Sequence, residues 1–429
     1  MKMNVQTVIL GAGIAGLAYA KELGQDGTMV FEKNNFCGGL CHSFKINGFT
    51  FDSAVHLSFT NEMTVRKQFD QTPYITHQPL AYNFYNGYWI KHPVVNNLYQ
   101  LDMEEKIRLL SGFVKRNTDM DIKNYKNWLW ASYGKEISEL FYEVYTKKYW
   151  TMDAAELSTT WIGNRLGTPD IEKMLYGAFA AETGMDYYAK EMRYPAMGGF
   201  QSFILGMANH AEIAYGKKAV KINIREKKVT FHDGTVCFYE KLASSIPLPE
   251  LVGITPDVPE ELRTEALQLK ASKISLVSVG FNRPDVAKSL WFYIYDEDIM
   301  AARVNSPSMK SPKNVPADCS SLQFEIYHAS EETINKEEII SNVKYALLKM
   351  GLCEEKDIAF MDYRLLDYGN VIFENGMEEK RNKIRKYFEE HQVDLIGRFG
   401  EWEYYWSDQS YMSGLDKAVK YKQFLEGMR

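Results

Sequence analysis

Thr7-Val8-Ile9-Leu10-Gly11-Ala12-Gly13-Ile14-Ala15-Gly16 decides how the rest of the chain is read. The apolar run 7–10 has the continuous hydrophobicity of a strand covered on both faces of a parallel sheet. Leu17-Ala18-Tyr19-Ala20-Lys21-Glu22-Leu23 follows with helical periodicity. Met29-Val30-Phe31 is a second short apolar strand, and it ends at Glu32. Strand, glycine turn, helix, strand and acid in this order are the parts of a dinucleotide-binding unit. Gly11 permits the tight turn. Gly13 lets a pyrophosphate approach bare backbone at the positive end of the helix. Gly16 lets helix and strand pack closely. Gly11, Gly13, Ala15 and Gly16 are therefore expected at the nucleotide. Glu32, 21 residues after Gly11, is placed to accept hydrogen bonds from a ribose, with Lys33 beside it.

Composition narrows the alternatives. A chain of 429 residues that is 45% hydrophobic can bury a large core and suggests two or three domains. A formal charge of −6 and an isoelectric point near 5.9 argue against a nucleic-acid partner. No apolar run reaches the roughly 18 residues of a membrane span. The chain enters its first strand without a charged and then apolar leader, so a cytoplasmic location is expected. The five cysteines, Cys37, Cys41, Cys237, Cys319 and Cys353, have no disulfide spacing. Cys37 and Cys41 lack a second ligand pair, and no metal site is expected. No serine elbow or zinc-binding helix stands out, so a cofactor is expected to carry the chemistry. A homo-oligomer is left open.

Along the chain, Gly48-Phe49-Thr50-Phe51-Asp52 reads as a short strand leading to His56. Residues 62–192 read as a helical insertion, with helices over 103–116 and 135–149. A further helix is expected over 201–210. Strands follow at 219–224, 228–231 and 236–238, the last two joined by the Asp233-Gly234 turn signal. A separate strand at 242–247 is expected to re-enter the sheet. Alternating patterns at 272–281, 290–295 and 321–327 predict antiparallel strands. The three prolines of 306–316 predict a loop. Helices are expected at 337–350 and 382–391, with a last strand at 393–398. The expected architecture is α/β (α+β). A Rossmann-like unit with a parallel sheet is built from 1–61, 193–246 and 390–429. The helical insertion 62–192 and an antiparallel-sheet domain over 247–389 complete it.

Gly38-Gly39-Leu40 stands a few residues after Glu32. It resembles the second glycine element of the FAD-binding superfamily that includes amine oxidases, protoporphyrinogen oxidase and UDP-galactopyranose mutase. A simpler nicotinamide dehydrogenase does not need this element. The resemblance implies FAD, held non-covalently, since no cysteine follows Cys353. It also implies cofactor contacts from Gly38, Gly39, Leu40, Val220, Gly397 and Arg398.

Other segments resemble the mutases in particular. They are His56-Leu57-Ser58-Phe59-Thr60-Asn61, then Tyr145-Thr146-Lys147-Lys148-Tyr149-Trp150 with Glu156-Leu157 and Arg165, and Gly397-Arg398-Phe399-Gly400-Glu401-Trp402-Glu403-Tyr404. The resemblance implies His56 and Arg398 as catalytic groups. It implies Tyr145, Trp150, Arg165 and Tyr404 as substrate contacts for a UDP-sugar or related nucleotide sugar. The implied setting is redox-neutral chemistry at a reduced flavin in cell-surface polysaccharide biosynthesis. Four departures stand out. Phe59 replaces a usual histidine, Pro169 replaces a phosphate-binding arginine, and Trp406 stands where an acid is usual. Arg193-Tyr194-Pro195-Ala196-Met197-Gly198-Gly199 is closer to the oxidases. The missing arginine at Pro169 is expected to make binding weaker than in a true mutase, unless Arg165 or Lys148 compensates. The alternative is an FAD oxidoreductase of amine- or protoporphyrinogen-oxidase type, which needs an apolar tunnel instead of phosphate ligands. Core packing competes for Tyr145, Trp150 and His56, and a surface ion pair for Arg398.

Overall fold

The computed structural model describes residues 2–163, 165–184, 187 and 189–427. The first strand, Lys2–Leu10, alternates between exposed and half-buried in its first five residues, then is buried throughout its last four. Alternation marks one covered face and continuous burial marks two. The strand therefore runs from the rim of the sheet into its centre and delivers Gly11 there. It pairs in parallel with Thr28–Phe31 on one side and Val236–Ser244 on the other. Ile213–Ala214 extends the sheet beyond Thr28–Phe31. The antiparallel strands Lys228–Phe231 and Ala219–Asn223 extend it beyond Val236–Ser244. Val393–Leu395 lies parallel to the last residues of Val236–Ser244. The strands expected at 236–238 and 242–247 are one continuous strand. The polar Glu240-Lys241 pair interrupts its apolar pattern without interrupting its pairing.

The helices that matter for the site are α1 (Ile14–Leu23), α2 (Met103–Val114), α3 (Glu143–Trp150), α4 (Ile171–Phe179) and α5 (Ser407–Gly427). The first lies against the parallel sheet, and α5 packs on it. Their contact is backbone to backbone: a Cβ on Gly414 would lie 2.1 Å from the Ala15 carbonyl oxygen.

The second sheet runs Ile358–Leu366, Lys273–Phe281, Ser320–His328, Arg303–Asn305, Trp291–Ile294, Ala81–Tyr85, Tyr88–Lys91. Two expectations are corrected here. Residues 62–192 are not wholly helical, because they contribute Tyr74–His77 and the hairpin Ala81–Tyr85/Tyr88–Lys91. Asn86 and Gly87, with φ of +46° and +84°, supply the two left-handed positions that a two-residue hairpin needs. The sheet is not wholly antiparallel either, since Ala81–Tyr85 runs parallel to Trp291–Ile294. The segment expected as a loop at 306–316 holds the short helical turns Pro307–Lys310 and Pro312–Asn314, each with proline in its first turn, where proline fits. No helix among the described residues is long and apolar enough to cross a membrane.

The bare-backbone contact between α1 and α5 makes a specific prediction. Gly414→Ala should destabilise the protein by about 1–3 kcal/mol, the usual range for overpacking. Gly427→Ala, where a Cβ meets nothing within 4 Å, should leave stability unchanged or slightly raised. Urea unfolding of the two variants measures the difference.

Candidate active site

A cavity of about 700 Å³ lies at the end of the strand Lys2–Leu10. Gly11, Gly13, Ala15, Glu32, Lys33, Gly38, Gly39, Leu40, His56, Gly397 and Arg398 line it. A Cβ on Gly11 would lie 2.3 Å from Ser245 Oγ, so the turn requires glycine there. Gly13 differs: a Cβ there would meet nothing within 4 Å. Protein packing does not demand that glycine, and the space in front of it belongs to the cavity. Gly38 forms a parallel bridge with Gly13, and its N–H donates to the Ala12 carbonyl at 2.8 Å. Glu32 is buried at the cavity wall. One of its carboxylate oxygens accepts from the Ala12 N–H at 2.8 Å, and the other from the backbone and side-chain nitrogens of Asn34 at 2.9 Å. Gly16 does not line the cavity: a Cβ there would fall 2.0 Å from the Gly11 carbonyl oxygen. Val220 does not line it either. It is 42% exposed, and its neighbours Lys218 and Ala219 form the wall.

A second cavity, of about 520 Å³, is aromatic. Nine of the described tyrosines and three tryptophans line it, together with Arg165, Lys173 and Arg303 and the acid Asp170. Tyr145, Trp150, Arg165 and Tyr404 all face this space. The helical period places Tyr145 and Tyr149 on one side of α3, with their rings stacked at 5.4 Å. Trp150 packs against Tyr149, Trp161 and Tyr404 with ring centroids 4.7–5.2 Å apart. The Arg165 guanidinium sits over the rings of Tyr404 and Trp406, at 4.6 and 4.4 Å. Burial pushes the Tyr145 and Tyr404 phenols well above the usual tyrosine range. They therefore remain hydrogen-bond donors at any physiological pH.

The two cavities share the wall residue Trp406, and two polar chains run between them. In the first, Arg398 donates to Asn370 Oδ1 at 2.7 Å. The Tyr149 hydroxyl reaches the same oxygen at 3.4 Å and the Tyr404 hydroxyl at 2.7 Å. In the second, the fully buried Glu325 accepts from Arg303 at 2.7 Å with one oxygen and from the Val55 N–H at 3.0 Å with the other. Burial opposes the Arg303 charge, but Glu325 and the neighbouring phenols hold its pKa above the usual arginine value. A permanent cation thus stands in the aromatic cavity. Its counter-ion braces the loop that carries His56. Sequence reading missed Arg303, because it lies on a three-residue strand with no motif around it.

His56 stacks on Phe200 at 4.8 Å, and its Nδ1 is 3.0 Å from the Ala54 carbonyl. Nδ1 must carry the proton to make that bond, which leaves Nε2 as the acceptor. Burial lowers the pKa to about 4, so the ring is neutral at physiological pH. Lys148 does not replace the cation absent at Pro169. Its ammonium turns away from the cavity and donates to the carbonyls of Ile294, Asp296 and Ile299 at 3.1, 2.6 and 2.7 Å. It fastens α3 to the loop after Trp291–Ile294. No cluster of potential metal ligands occurs among the described residues.

Residues 9–72 match the family model described as an NAD(P)-binding Rossmann-like domain. Over 72 residues the chain is 38% identical to all-trans-retinol 13,14-reductase of Danio rerio, covering 16% of this chain and 12% of that protein. Over 49 residues it is 45% identical to a 1-hydroxycarotenoid 3,4-desaturase of Flavobacterium sp., covering 11% of this chain and 10% of that protein. The chain thus spans only about a tenth of the length of these curated relatives. Among solved structures it is similar to a reduced UDP-galactopyranose mutase, with a TM-score of 0.92 and 23% identity over 98% of this chain and 96% of that one. A protein assigned as protoporphyrinogen oxidase from Exiguobacterium sp. 255-15 gives a TM-score of 0.75 at 15% identity, covering 98% and 99%. Putrescine oxidase bound to putrescine gives 0.64 at 13%, covering 99% and 100%. The fold is a mixed α/β architecture built on a Rossmann-like unit. More particularly, it is the fold shared by the solved structures of UDP-galactopyranose mutase, the Exiguobacterium protein and putrescine oxidase.

Lys310 lies in the same buried layer as His56, and its titration is open to measurement. Its ammonium is fully buried, 4.0 Å from Asp52 Oδ2, with no hydrogen-bond partner among the described residues. Burial lowers its pKa to about 8 from the usual 10.5. Between these values the unfolded chain holds a proton that the folded protein does not, so stability rises with pH. Wild type should therefore gain on the order of 1–3 kcal/mol between about pH 8 and 10 that Lys310→Met does not gain. Chemical denaturation across that range tests the difference in slope.

Proposed function

We propose that this protein is an FAD-dependent enzyme acting on a UDP-sugar or related nucleotide sugar, with redox-neutral chemistry of the mutase kind. Its setting on this reading is cell-surface polysaccharide biosynthesis. The observation that carries the proposal is the aromatic cavity, rich in phenols and holding Arg165, Lys173 and Arg303, placed against the glycine-lined cavity across Trp406. Phenol hydroxyls and aromatic faces suit a sugar and a base, and guanidinium groups suit a diphosphate. An oxidase of cationic amines has no use for three cations around its substrate.

The glycine-lined cavity fits FAD on the chain's own features. The space before Gly13 is open, Glu32 presents a carboxylate at a strand end, and the walls run from Lys217–Ala219 to His56 and Arg398. Bound, reduced FAD would supply the electron-rich centre for reaction at an anomeric carbon. The chain's residues would hold and orient the substrate. Arg303 takes the diphosphate, with Arg165 beside it, whose guanidinium also donates to the Trp161 and Tyr404 carbonyls. Tyr145, Tyr149 and Tyr404 donate to sugar oxygens, and Trp150 with Trp161 forms a rigid wall that excludes water. Arg398 and the neutral His56 position the groups at the boundary.

The purified protein should be yellow and release its flavin on acid precipitation. Glu32→Ala should weaken FAD retention about ten- to a hundred-fold, the equivalent of roughly 1.5–3 kcal/mol for hydrogen bonds to a carboxylate. Titration of the apo-protein measures it.

UDP should bind the reduced protein more tightly than the oxidised protein. Arg303→Lys, which keeps a cation beside Glu325 but loses the planar fork, should weaken UDP binding about tenfold. Tyr145→Ala should weaken it several-fold. Calorimetry with UDP reads these effects. If wild type binds no UDP in the millimolar range, the nucleotide-sugar reading fails and oxygen consumption with amines becomes the next assay.

A further inference from the structure

A third cavity, of about 390 Å³, opens between the C-terminal end of α2 and the helix Tyr125–Tyr133. It shares no residue with the glycine-lined or the aromatic cavity. Arg108, Lys115, Arg116 and Lys135 line it, against the single acid Glu136. The chain as a whole carries a formal charge of −6, so this hollow runs against the overall sign. Helix dipoles do not account for it. Lys115 and Arg116 suit the negative end of α2, but Arg108 lies beyond the last turn, where the effect fades. Lys135 opens the helical run 135–150, at the positive end that disfavours a cation.

Part of the hollow is rigid. The Arg116 guanidinium lies 3.7 Å from the centre of the Phe113 ring. Its Nε donates to the Ala131 carbonyl at 3.2 Å, and one terminal nitrogen to the Phe113 carbonyl at 2.8 Å. The fork is thus held in place with donors remaining, since a guanidinium has five. The Lys135 ammonium sits over the Trp130 ring at 5.5 Å, and Trp130 is fixed in turn by donating from Nε1 to the buried Glu143 at 2.8 Å. Internal neutralisation is weak. Glu105 and Glu139 reach Arg108 and Lys135 only at 3.5 and 3.7 Å, and exposed pairs of that kind contribute little. Lys115 has no ion-pair partner among the described residues.

We propose that this cavity binds a multiply charged phosphate-bearing anion of about the size of a diphosphate. A cleft lined by one sign of charge concentrates the opposite ion. The fixed fork of Arg116 matches phosphate geometry, and the flexible lysines add point charges around it. A single carboxylate would leave most of these cations unused. The site does not depend on the nucleotide-sugar reading. A free diphosphate and a lipid headgroup phosphate offer the same chemistry, and the experiment separates them.

Inorganic pyrophosphate is titrated into the full chain at low ionic strength, where screening is least, and tryptophan emission is followed. Wild type should respond saturably below about 1 mM, a modest affinity for a few charge-assisted contacts, and Trp130→Phe should lose most of the response. Arg108→Gln/Lys115→Gln, which alters two exposed side chains, should bind at least about tenfold more weakly with an unchanged far-UV circular dichroism spectrum. Arg303→Lys should keep the response, which separates this cavity from the aromatic one whether or not UDP binds there. Phosphatidylcholine vesicles with and without phosphatidic acid form the second arm. Pelleting that needs phosphatidic acid and is lost in the double variant, without a response to free pyrophosphate, would assign the phosphate to a lipid. The proposal is overturned if neither probe binds, if binding survives Arg108→Gln/Lys115→Gln, or if Arg303→Lys abolishes it.

Discussion

Backbone meeting backbone at the Gly11–Gly16 turn is the constraint on which the rest of the molecule is assembled. A Cβ on Gly16 would lie 2.0 Å from the Gly11 oxygen, one on Gly400 2.6 Å from the Ser244 oxygen, and one on Gly414 2.1 Å from the Ala15 oxygen. Segments from the beginning, middle and end of the chain therefore converge on one point without side chains between them. Gly13 sits at the same point, yet a Cβ there would touch nothing. Three of these glycines are there for protein packing. The fourth leaves room for something the protein does not itself supply. The same close approach fixes the two cavities, because the turn at Gly397 and Arg398 that follows Val393–Leu395 lines one, and the chain continues directly to Tyr404 in the other.

The second organising feature is how buried charge is held. Lys148 gives its protons to backbone carbonyls, and Arg303 has Glu325 as counter-ion, itself held by the Val55 N–H and the Tyr327 hydroxyl. The contrast is functional. A cation saturated by carbonyls has little left to offer a ligand, so Lys148 is a fastening. An arginine has five donors, and a carboxylate on one side leaves others for the cavity. Geometry of this kind separates two basic residues that a charge count treats alike.

These distinctions also explain what could be read from the sequence. Gly11, Gly16 and the Gly38-Gly39 pair were legible because backbone sterics demand glycine there, and Gly13 and Glu32 because they stand at fixed spacing from that turn. Tyr145 was singled out through motif context, and the structure sets it on the wall of the aromatic cavity, with Tyr149 one turn on beside it. Lys148 stood with Arg165 as a conditional substitute for the missing arginine, and its direction depends on the carbonyl loop at 294–301, which is distant in sequence. Arg303 could not be found locally, since its role depends on Glu325 one strand away. The hairpin at 81–91 carried a readable Asn86-Gly87 signal. It was absorbed into an insertion read as helical from the helices at 103–116 and 135–149. The helix α5 left little trace, because its buried stripe is Ser410, Tyr411, Gly414 and Ala418, mostly small residues that hydrophobic periodicity scores weakly.

The departures from the mutase pattern can be weighed by the same physics. Pro169 removes one cation from the rim of the aromatic cavity, and neither Lys148 nor a shift of Arg398 compensates for it. Arg398 is committed to Asn370 and the Tyr405 carbonyl at the wall of the glycine-lined cavity. Lys173, on the first turn of α4, lines the same rim. A lysine is a compact point charge on a flexible stem, where an arginine is a planar fork. A diphosphate held by Arg303 and Arg165 with a lysine at the rim would therefore be bound with similar charge but looser geometry. On the proposed reading, that combination would tolerate variation in the sugar better than three arginines would, because the phosphate anchor would no longer fix the substrate's orientation from every side.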